Sequence, residues 1–161
     1  MTEIGYDRME AVFYAKQWAY KRNPQYMNFD TMGGDCTNFA SQCIYAGCKV
    51  MNYALPYGWF YISPQKRSAS WTGVQYLYNF LINNKGQGPY AKLANVSEIE
   101  IGDIVQLGDM NGNYYHIPII CGFDGEEILV AAHTYDSYNR PLSSYSFYTA
   151  RFIHILGARK I

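Results

Sequence analysis

Hydrophobic and polar positions divide this chain into a helical first half and a strand-rich second half. Three stretches of the first half carry helical signals, mainly apolar residues three and four positions apart. They predict helices from Asp7 to about Arg22, from Cys36 to about Ala46, and from Ser70 to Ile82. Beyond residue 100, β-branched and apolar runs predict strands at Ile101–Leu107, Tyr114–Phe123, Glu126–Thr134 and near Tyr148–Leu156. Helices followed by an antiparallel meander are typical of an α+β fold.

Local signals mark the ends of the predicted helices. Asp7 and Glu10 form a capping pattern, and Asn23-Pro24 ends the first helix. Gly47 would supply the left-handed residue that closes the second helix, and Gly86–Pro89 closes the helical half. The apolar side of the first helix would comprise Met9, Val12, Phe13 and Trp18.

Two histidines are brought together by a predicted hairpin. Asp124-Gly125 separates two apolar runs, which indicates a two-residue type I′ turn. If Phe123 pairs with Glu126, His116 lies directly opposite His133, with Cβ atoms about 5 Å apart. This arrangement suits a catalytic base and the group that orients it. The alternative is that the two histidines are unrelated residues at strand ends.

The pairing of the histidines depends on an uninterrupted register. Pro118 cannot donate to the strand ladder, so the strand that carries His116 must tolerate a gap two residues later. A shift of one residue would also place the histidines on opposite faces.

A cysteine lies where a glycine-rich turn enters the second helix, in the stretch Gly34-Asp35-Cys36-Thr37-Asn38-Phe39-Ala40. A helix N-terminus carries roughly half a positive charge and free N–H groups. It can therefore lower the pKa of a thiol and hold the oxyanion that forms when a thiolate attacks a carbonyl. We expect Cys36 to titrate below an ordinary thiol, and the carboxylate of Asp35 to point away from the sulfur, toward the helix N–H groups. A capped helix that happens to contain a cysteine is the alternative interpretation.

Composition limits the classes of protein. At 161 residues, 49% hydrophobic and 16% charged, the chain is expected to fold as one domain, 1–161, rather than to be disordered. A net charge of zero argues against nucleic acid as the partner, because phosphate binding needs a basic surface. The 17 tyrosines suit either a sugar- or peptide-binding groove or half-buried packing.

The four cysteines do not form a disulfide framework. A helical offset of seven residues would place Cys36 and Cys43 about 10 Å apart, and there is no CxxC motif to suggest zinc. Cys43, Cys48 and Cys121 are interpreted as small core residues, and no metal or other cofactor is predicted. Neither a signal peptide nor a membrane span is recognised, which indicates an intracellular chain or a domain of a longer protein.

Several of these motifs together resemble a known family. They are Asp-Cys-Thr-Asn-Phe-x-Ser-Gln, Gly-Asp-Ile-Val-Gln-Leu at 102–107, the histidine of the next strand, and Ala-His-Thr-x-Asp at 132–136. From about Ala15 to Arg159 the chain resembles the bacterial putative amidase domain family. That family is similar to the NlpC-type and CHAP cell-wall hydrolases, which are relatives of the papain fold.

The resemblance implies a papain-like α+β fold and a set of site residues. It implies a nucleophile at Cys36, a base at His116 and a third polar residue at His133. The hairpin and the helix start indicate the same three residues independently. Since the third residue varies among related hydrolases, Asp136 is a rival for the orienting role.

The expected function is therefore that of a cysteine hydrolase that cleaves an amide bond of peptidoglycan. The bond would join the lactyl group to L-alanine or lie within the stem peptide, and Asp35 and Trp71 are candidate substrate-binding residues. The protein would act as a monomer, as a phage lysin or as a domain of a longer secreted protein. Two alternatives are an acyltransferase on the same scaffold and a wall-binding module with an inert cysteine.

Overall fold

The computed structural model describes all 161 residues and combines four α-helices with ten β-strands. The helices are α1 (Arg8–Trp18), α2 (Cys36–Cys48), α3 (Ala69–Thr72) and α4 (Val74–Asn83). The strands are β1 (Thr2–Ile4), β2 (Tyr61–Ser63), β3 (Lys66–Arg67), β4 (Gly88–Ala94), β5 (Ile104–Gly108), β6 (Tyr114–His116), β7 (Ile119–Asp124), β8 (Glu127–Ala132), β9 (Ser137–Pro141) and β10 (Thr149–Lys160). The predicted α+β class is confirmed.

An antiparallel eight-stranded sheet carries most of the second half of the chain. Its strands follow the order β1-β10-β5-β7-β8-β9, while β4 pairs with β10 and β6 pairs with β5. Successive side chains of a strand point to opposite faces, so Ile104 and Ile119 pack with the helices in the main core. Val105 and Ile120 belong to a smaller cluster on the other face. The main core therefore lies between the helices and one face of the sheet.

Helix α1 begins as predicted but buries a different face. The Asp7 carboxylate accepts a hydrogen bond from the Glu10 N–H at 3.0 Å, which confirms the cap. The helix ends at Trp18 rather than near Arg22. Its buried side chains are alanines, whereas two of the predicted core residues, Met9 and Phe13, are 69% and 64% exposed. Small side chains allow α1 to pack closely on α2, and that tertiary contact decides which face is buried.

The end of α2 also differs from the prediction. The helix extends to Cys48, and the left-handed residue is Lys49, with φ of 60°, instead of Gly47. Gly47 lies within the helix, where an added Cβ would be 2.4 Å from Cε1 of Tyr6. The glycine therefore permits a close contact and does not close the helix.

The third predicted helix is divided in two. An extended Gly73 separates α3 from α4, and Ser68 rather than Ser70 occupies the N-cap position. The Ser70 hydroxyl instead donates to the carbonyl of Gly58 at 2.6 Å. Leu77 and Leu81 of α4 are buried, as their helical spacing predicted.

The predicted strand 114–123 is interrupted where Pro118 lies. It forms two strands, β6 and β7, and Pro118 lies in the gap between them because it has no N–H to donate. Strands β4 and β9 were not predicted, and β4 begins where Gly86–Pro89 was expected to end the helical half. The last predicted strand is present and extends to Lys160.

The hairpin between β7 and β8 is confirmed, but its predicted register is wrong. Asp124 pairs with Glu127, and Phe123 pairs with Ile128 instead of Glu126. The two turn residues are thus Gly125, with φ of 61°, and Glu126, whose φ is not positive, so the turn is not type I′. A bulge then shifts the register once more between Ile120 and Gly122.

The cysteines agree with a further expectation. All four cysteines are free and buried, and Cys43, Cys48 and Cys121 pack in the main core as predicted. None of the four helices combines the length and the apolar character that crossing a membrane requires.

Candidate active site

Cys36 is the first residue of α2, and this helix start is uncapped. The Asp35 side chain makes no capping hydrogen bond. The N–H groups of Cys36 and Asn38 make no hydrogen bond in the chain, and that of Thr37 acts on the Cys36 sulfur, because the first backbone bond of the helix joins the Phe39 N–H to the Asp35 carbonyl. The positive end of the helix therefore lies open beside the sulfur. Cys36 keeps 7% of its surface exposed.

The surroundings of the sulfur do not make it a ready thiolate. Burial raises the pKa of the Cys36 thiol, and hydrogen bonds to the sulfur from Thr37 and from the backbone N–H of Ile117 offset this only in part. The Thr37 hydroxyl lies 3.9 Å from the sulfur. The direction of this shift is opposite to the low pKa expected of Cys36, because desolvation of the thiolate outweighs the hydrogen bonds to the sulfur.

His116 ends β6, immediately before Ile117, whose backbone N–H lowers the pKa of the Cys36 thiol. It pairs with Leu107 of β5, and its ring packs 5.4 Å from the ring of Tyr145 at an angle of 44°. Burial, and then the positive charge of Arg140, lower the pKa of His116 to about 4. The imidazole is therefore neutral at pH 7 and can accept a proton.

A cleft of about 290 Å³ opens at His116 and extends to Thr134. Its walls include Thr134, Arg140 and Tyr145. The Asp35 N–H donates to the Thr134 hydroxyl at 3.3 Å, so the wall of the cleft is joined to the start of α2. The cleft therefore gives access to His116 and ends at Thr134, which contacts the loop before Cys36.

His133 does not contact His116. Its Nδ1 lies 2.5 Å from Oδ2 of Asp35, and its Nε2 lies 2.8 Å from the carbonyl oxygen of Trp18. The ring also stacks on Phe39, with centroids 4.0 Å apart. Both nitrogens of His133 are thus engaged, and the predicted cross-strand pair is not formed, because the strand breaks after His116 and the hairpin register is shifted.

Asp35 is the centre of a buried network that holds the loop before α2. Its Oδ1 accepts hydrogen bonds from the Phe29 N–H and the Asn38 amide, both at 2.9 Å, while Oδ2 faces His133. Burial opposes ionisation of Asp35, but the hydrogen bonds from His133, Asn38 and Phe29 outweigh it and lower the pKa of the carboxyl. The carboxylate faces these groups and not the helix N–H groups, contrary to the expected cap.

Neither predicted substrate-binding residue has accessible surface. Asp35 and Trp71 are both fully buried. The Trp71 indole donates to Oδ1 of Asn38 at 3.0 Å, and its carbonyl accepts from the Ser41 hydroxyl at 3.0 Å. A substrate cannot touch these side chains, so they support α2 instead of binding a ligand.

Asp136, the rival orienting residue, is held elsewhere. Its two carboxylate oxygens lie 2.9 and 3.0 Å from Nη1 and Nη2 of Arg22. Arg22 also binds Asp30, and its Nε lies 3.5 Å from the Asp35 carboxylate. Asp136 therefore belongs to a cluster of acidic residues around Arg22.

A second and larger cleft, of about 520 Å³, lies between residues 56–58 and helices α3 and α4. Tyr57 and Tyr76 border it with their rings largely exposed. None of the predicted catalytic or substrate-binding residues lines this cleft. Other tyrosines, such as Tyr26 and Tyr61, pack around Trp71, which agrees with the packing role expected of part of the tyrosines.

Residues 5–156 match the model of the putative amidase domain family. The chain belongs to this family. It is also similar to the uncharacterized protein YhbB of Bacillus subtilis (strain 168), with 35% identity over 139 residues. The aligned region covers 84% of this chain and 43% of YhbB, so the chain spans less than half the length of that relative. No solved structure matches the chain.

Membership of the amidase domain family confirms the resemblance drawn from the sequence motifs and points to hydrolysis of an amide. Sequence reasoning missed three residues that shape the site of this family member: Arg22, Arg140 and Tyr145. None of them belongs to a motif, and the contacts of Arg22 with Asp136 and of Tyr145 with His116 join residues far apart in the sequence. Arg140, which follows the left-handed Asn139, carried no local signal of a role beside His116.

Proposed function

We propose that this chain is a hydrolase that cleaves an amide bond of peptidoglycan, with Cys36 as the nucleophile and His116 as the base. One observation carries the proposal: Cys36 stands at an uncapped helix start, and the loop before it is hydrogen-bonded to Thr134, which lines the same cleft as His116. The cleft gives a substrate access to His116. Membership of the amidase domain family supports an amide as the bond that is broken.

The reaction begins from a neutral thiol and a neutral imidazole. As the sulfur attacks the amide carbonyl carbon, His116 takes the thiol proton, and the carbonyl oxygen becomes an oxyanion. The free N–H groups at the start of α2, that of Cys36 first, are the donors available to this oxyanion. His116 then gives its proton to the leaving amine, and a thioester remains on Cys36. Water, deprotonated by His116, hydrolyses the thioester and restores the thiol.

The catalytic group in this mechanism is a dyad. His116 is held in place by packing on Tyr145 and by the β5–β6 pairing. The pair of Asp35 and His133 does not touch the reacting atoms but fixes the loop that presents Cys36. We therefore assign His133 a positioning role for the nucleophile, in place of the predicted role as orienting partner of the base.

The choice of peptidoglycan rests on the resemblance to NlpC-type and CHAP hydrolases. A cysteine at a helix start packed against an antiparallel sheet that carries the histidine is also the arrangement expected of a papain-like enzyme. The bond would be either the amide between the lactyl group and L-alanine or an amide of the stem peptide. As the chain spans less than half of YhbB, further segments could deliver such a domain to the wall.

Digestion of purified peptidoglycan tests the proposal. New N-terminal L-alanine in the products would identify the lactyl amide, and new stem-peptide ends would identify an endopeptidase. Cys36→Ser should abolish release of both, whereas Cys121→Ser, a change at a core thiol outside the cleft, should retain activity. Addition of an amine acceptor, with mass spectrometry of the products, separates hydrolysis from acyl transfer. Undiminished release by Cys36→Ser would refute the proposal.

A further inference from the structure

Arg140 is a fixed cation without a carboxylate partner. It lies in β9, its Nε donates to the Ser144 hydroxyl at 2.8 Å, and its Nη2 donates to the Ser144 carbonyl at 3.3 Å. Its guanidinium carbon lies 3.6 Å from the centre of the Tyr145 ring. Three other arginines, Arg8, Arg22 and Arg159, form ion pairs with carboxylates, whereas no carboxylate oxygen lies within 4.0 Å of a side-chain nitrogen of Arg140.

The unused donors of Arg140 belong to the cleft that contains His116. Nη1 makes no hydrogen bond in the chain, and Arg140 and His116 line the same 290 Å³ cleft. The two groups are close enough for the arginine charge to act on the imidazole. Stacking on Tyr145 and the bonds to Ser144 fix the plane of the guanidinium. A planar guanidinium held in this way is pre-organised for two parallel hydrogen bonds to a carboxylate.

We propose that Arg140 binds a carboxylate of the substrate and thereby selects acyl-peptide fragments that carry a free carboxylate near the bond to be cleaved. The inference rests on the proposed function, because it names the part of the substrate that the His116 cleft recognises. Phosphate or sulfate could use the same donors, but a peptide substrate offers carboxylates. The thiol attack itself needs no contribution from Arg140.

A matched pair of ligands tests this recognition without turnover. In a Cys36→Ala background, calorimetry would compare N-acetylmuramyl-L-alanyl-D-glutamic acid with its diamide. We expect the diacid to bind about tenfold or more tightly, as for a hydrogen bond to a charged group. Binding of the two monoamides then shows which of the two carboxylates of the glutamate Arg140 recognises. Inorganic phosphate serves as a competitor that reports whether any anion suffices.

Substitutions at Arg140 separate its charge from its geometry. Arg140→Gln should remove the preference for the diacid, and Arg140→Lys should retain only part of it, because a lysine lacks the planar fork. Lys85→Gln, which removes an exposed positive charge at the other cleft, is the matched control and should leave the preference intact. Circular dichroism tests whether each variant is folded. If Arg140→Gln does not fold, the comparison of diacid and diamide in the protein that retains Arg140 still tests the proposal.

The outcomes distinguish this inference from the proposed function. Equal affinity for diacid and diamide, no binding of the diacid, or a preference that survives Arg140→Gln would overturn the role of Arg140. Cleavage of peptidoglycan by the protein with intact Cys36 would still support the proposed function in those cases. The converse result is also informative. If the protein prefers the diacid through Arg140 but cleaves no amide, the carboxylate site is supported and the proposed hydrolase function is refuted.

Discussion

At the scale of single residues, burial acts on the two groups proposed to react, Cys36 and His116, in opposite directions. It raises the pKa of the Cys36 thiol and lowers the pKa of the His116 imidazole to about 4. Both groups are therefore uncharged over a wide range around neutral pH. A resting thiolate–imidazolium pair is not required by this site, since the proton can move to His116 as the sulfur attacks.

Alkylation of Cys36 by iodoacetamide should follow this protonation state. We expect the rate to rise in a single transition above the ordinary thiol value of 9.0, because only the thiolate reacts. Peptide mapping by mass spectrometry follows Cys36 separately from the three core cysteines, and Cys36→Ser provides the blank. Rapid alkylation that is already constant near pH 7 would demonstrate a preformed thiolate and contradict the neutral dyad.

The two histidines should respond differently to substitution. His116→Ala removes the proposed base and should lower turnover by about 10²–10⁴-fold with little effect on stability. His133→Ala leaves the buried Asp35 carboxylate without its partner, so the main expected loss is in the free energy of unfolding. Turnover per folded molecule and urea unfolding, measured on both variants, distinguish these roles. Native stability together with greatly reduced turnover in His133→Ala would restore it as the orienting residue.

At the scale of secondary structure elements, the pair of Asp35 and His133 joins the start of α2 to the end of β8. Asp35→Asn breaks this fully buried pair and should lower the free energy of unfolding by about 3–5 kcal/mol at pH 7. Asp136→Asn, which breaks a partly exposed contact with Arg22, is the control and should cost about 1 kcal/mol or less. Urea titrations measure both values.

A second check is the pH dependence of the stability difference between the unsubstituted protein and Asp35→Asn. The folded-state pKa of Asp35 is lowered, so its contribution is fully present above the unfolded value of 3.8 and is lost as pH falls through the folded pKa below it. The difference between the unsubstituted protein and Asp35→Asn should therefore shrink only at strongly acidic pH. A constant difference down to the lowest pH at which the protein folds would show that the ionised carboxylate is not the stabilising form.

Helix α2 is also fixed by a close contact at its other end. Gly47→Ala would place a Cβ 2.4 Å from the Tyr6 ring and 2.8 Å from the Asp7 carbonyl oxygen. Alanine favours a helix by about 1 kcal/mol, but this crowding should outweigh the gain and lower stability by about 1–3 kcal/mol. Gly5→Ala, where the added Cβ meets nothing within 4 Å, is the control. A thermal midpoint for Gly47→Ala at or above that of the unsubstituted protein would contradict the argument.

At the scale of the whole molecule, the features predicted correctly are those with local causes. The Asp7 cap, the Asp124-Gly125 hairpin and the helix start at Cys36 each depend on a few neighbouring residues. The contact of His133 with Asp35 joins residues 98 positions apart, so no local pattern encodes it. The hairpin register differs from the prediction by two residues, because Phe123 faces Ile128 instead of Glu126, and a bulge between Ile120 and Gly122 shifts it again. These irregularities, together with the strand break at Pro118, explain why both histidines were identified while their predicted contact was wrong.

Packing of the helical half on the sheet buries Cys36 and His116, and their protonation states predict how the activity depends on pH. The reactive form requires neutral His116 and protonated Cys36, so kcat/KM should rise as pH increases through about 4 and then stay level through neutral pH. It should fall only above the raised pKa of Cys36, where the proton needed by the leaving amine has been lost.

The measurement is kcat/KM on a soluble muropeptide from acidic to alkaline pH, with the folded fraction determined at each point. This control matters because the Asp35 network also weakens in acid, and unfolding would otherwise imitate protonation of His116. An acid limb near the ordinary histidine value of 6.5, in protein that remains folded, would show that His116 is not desolvated in the working enzyme. The base would then have to be solvated in the complex, and the buried neutral dyad would not be the reactive state.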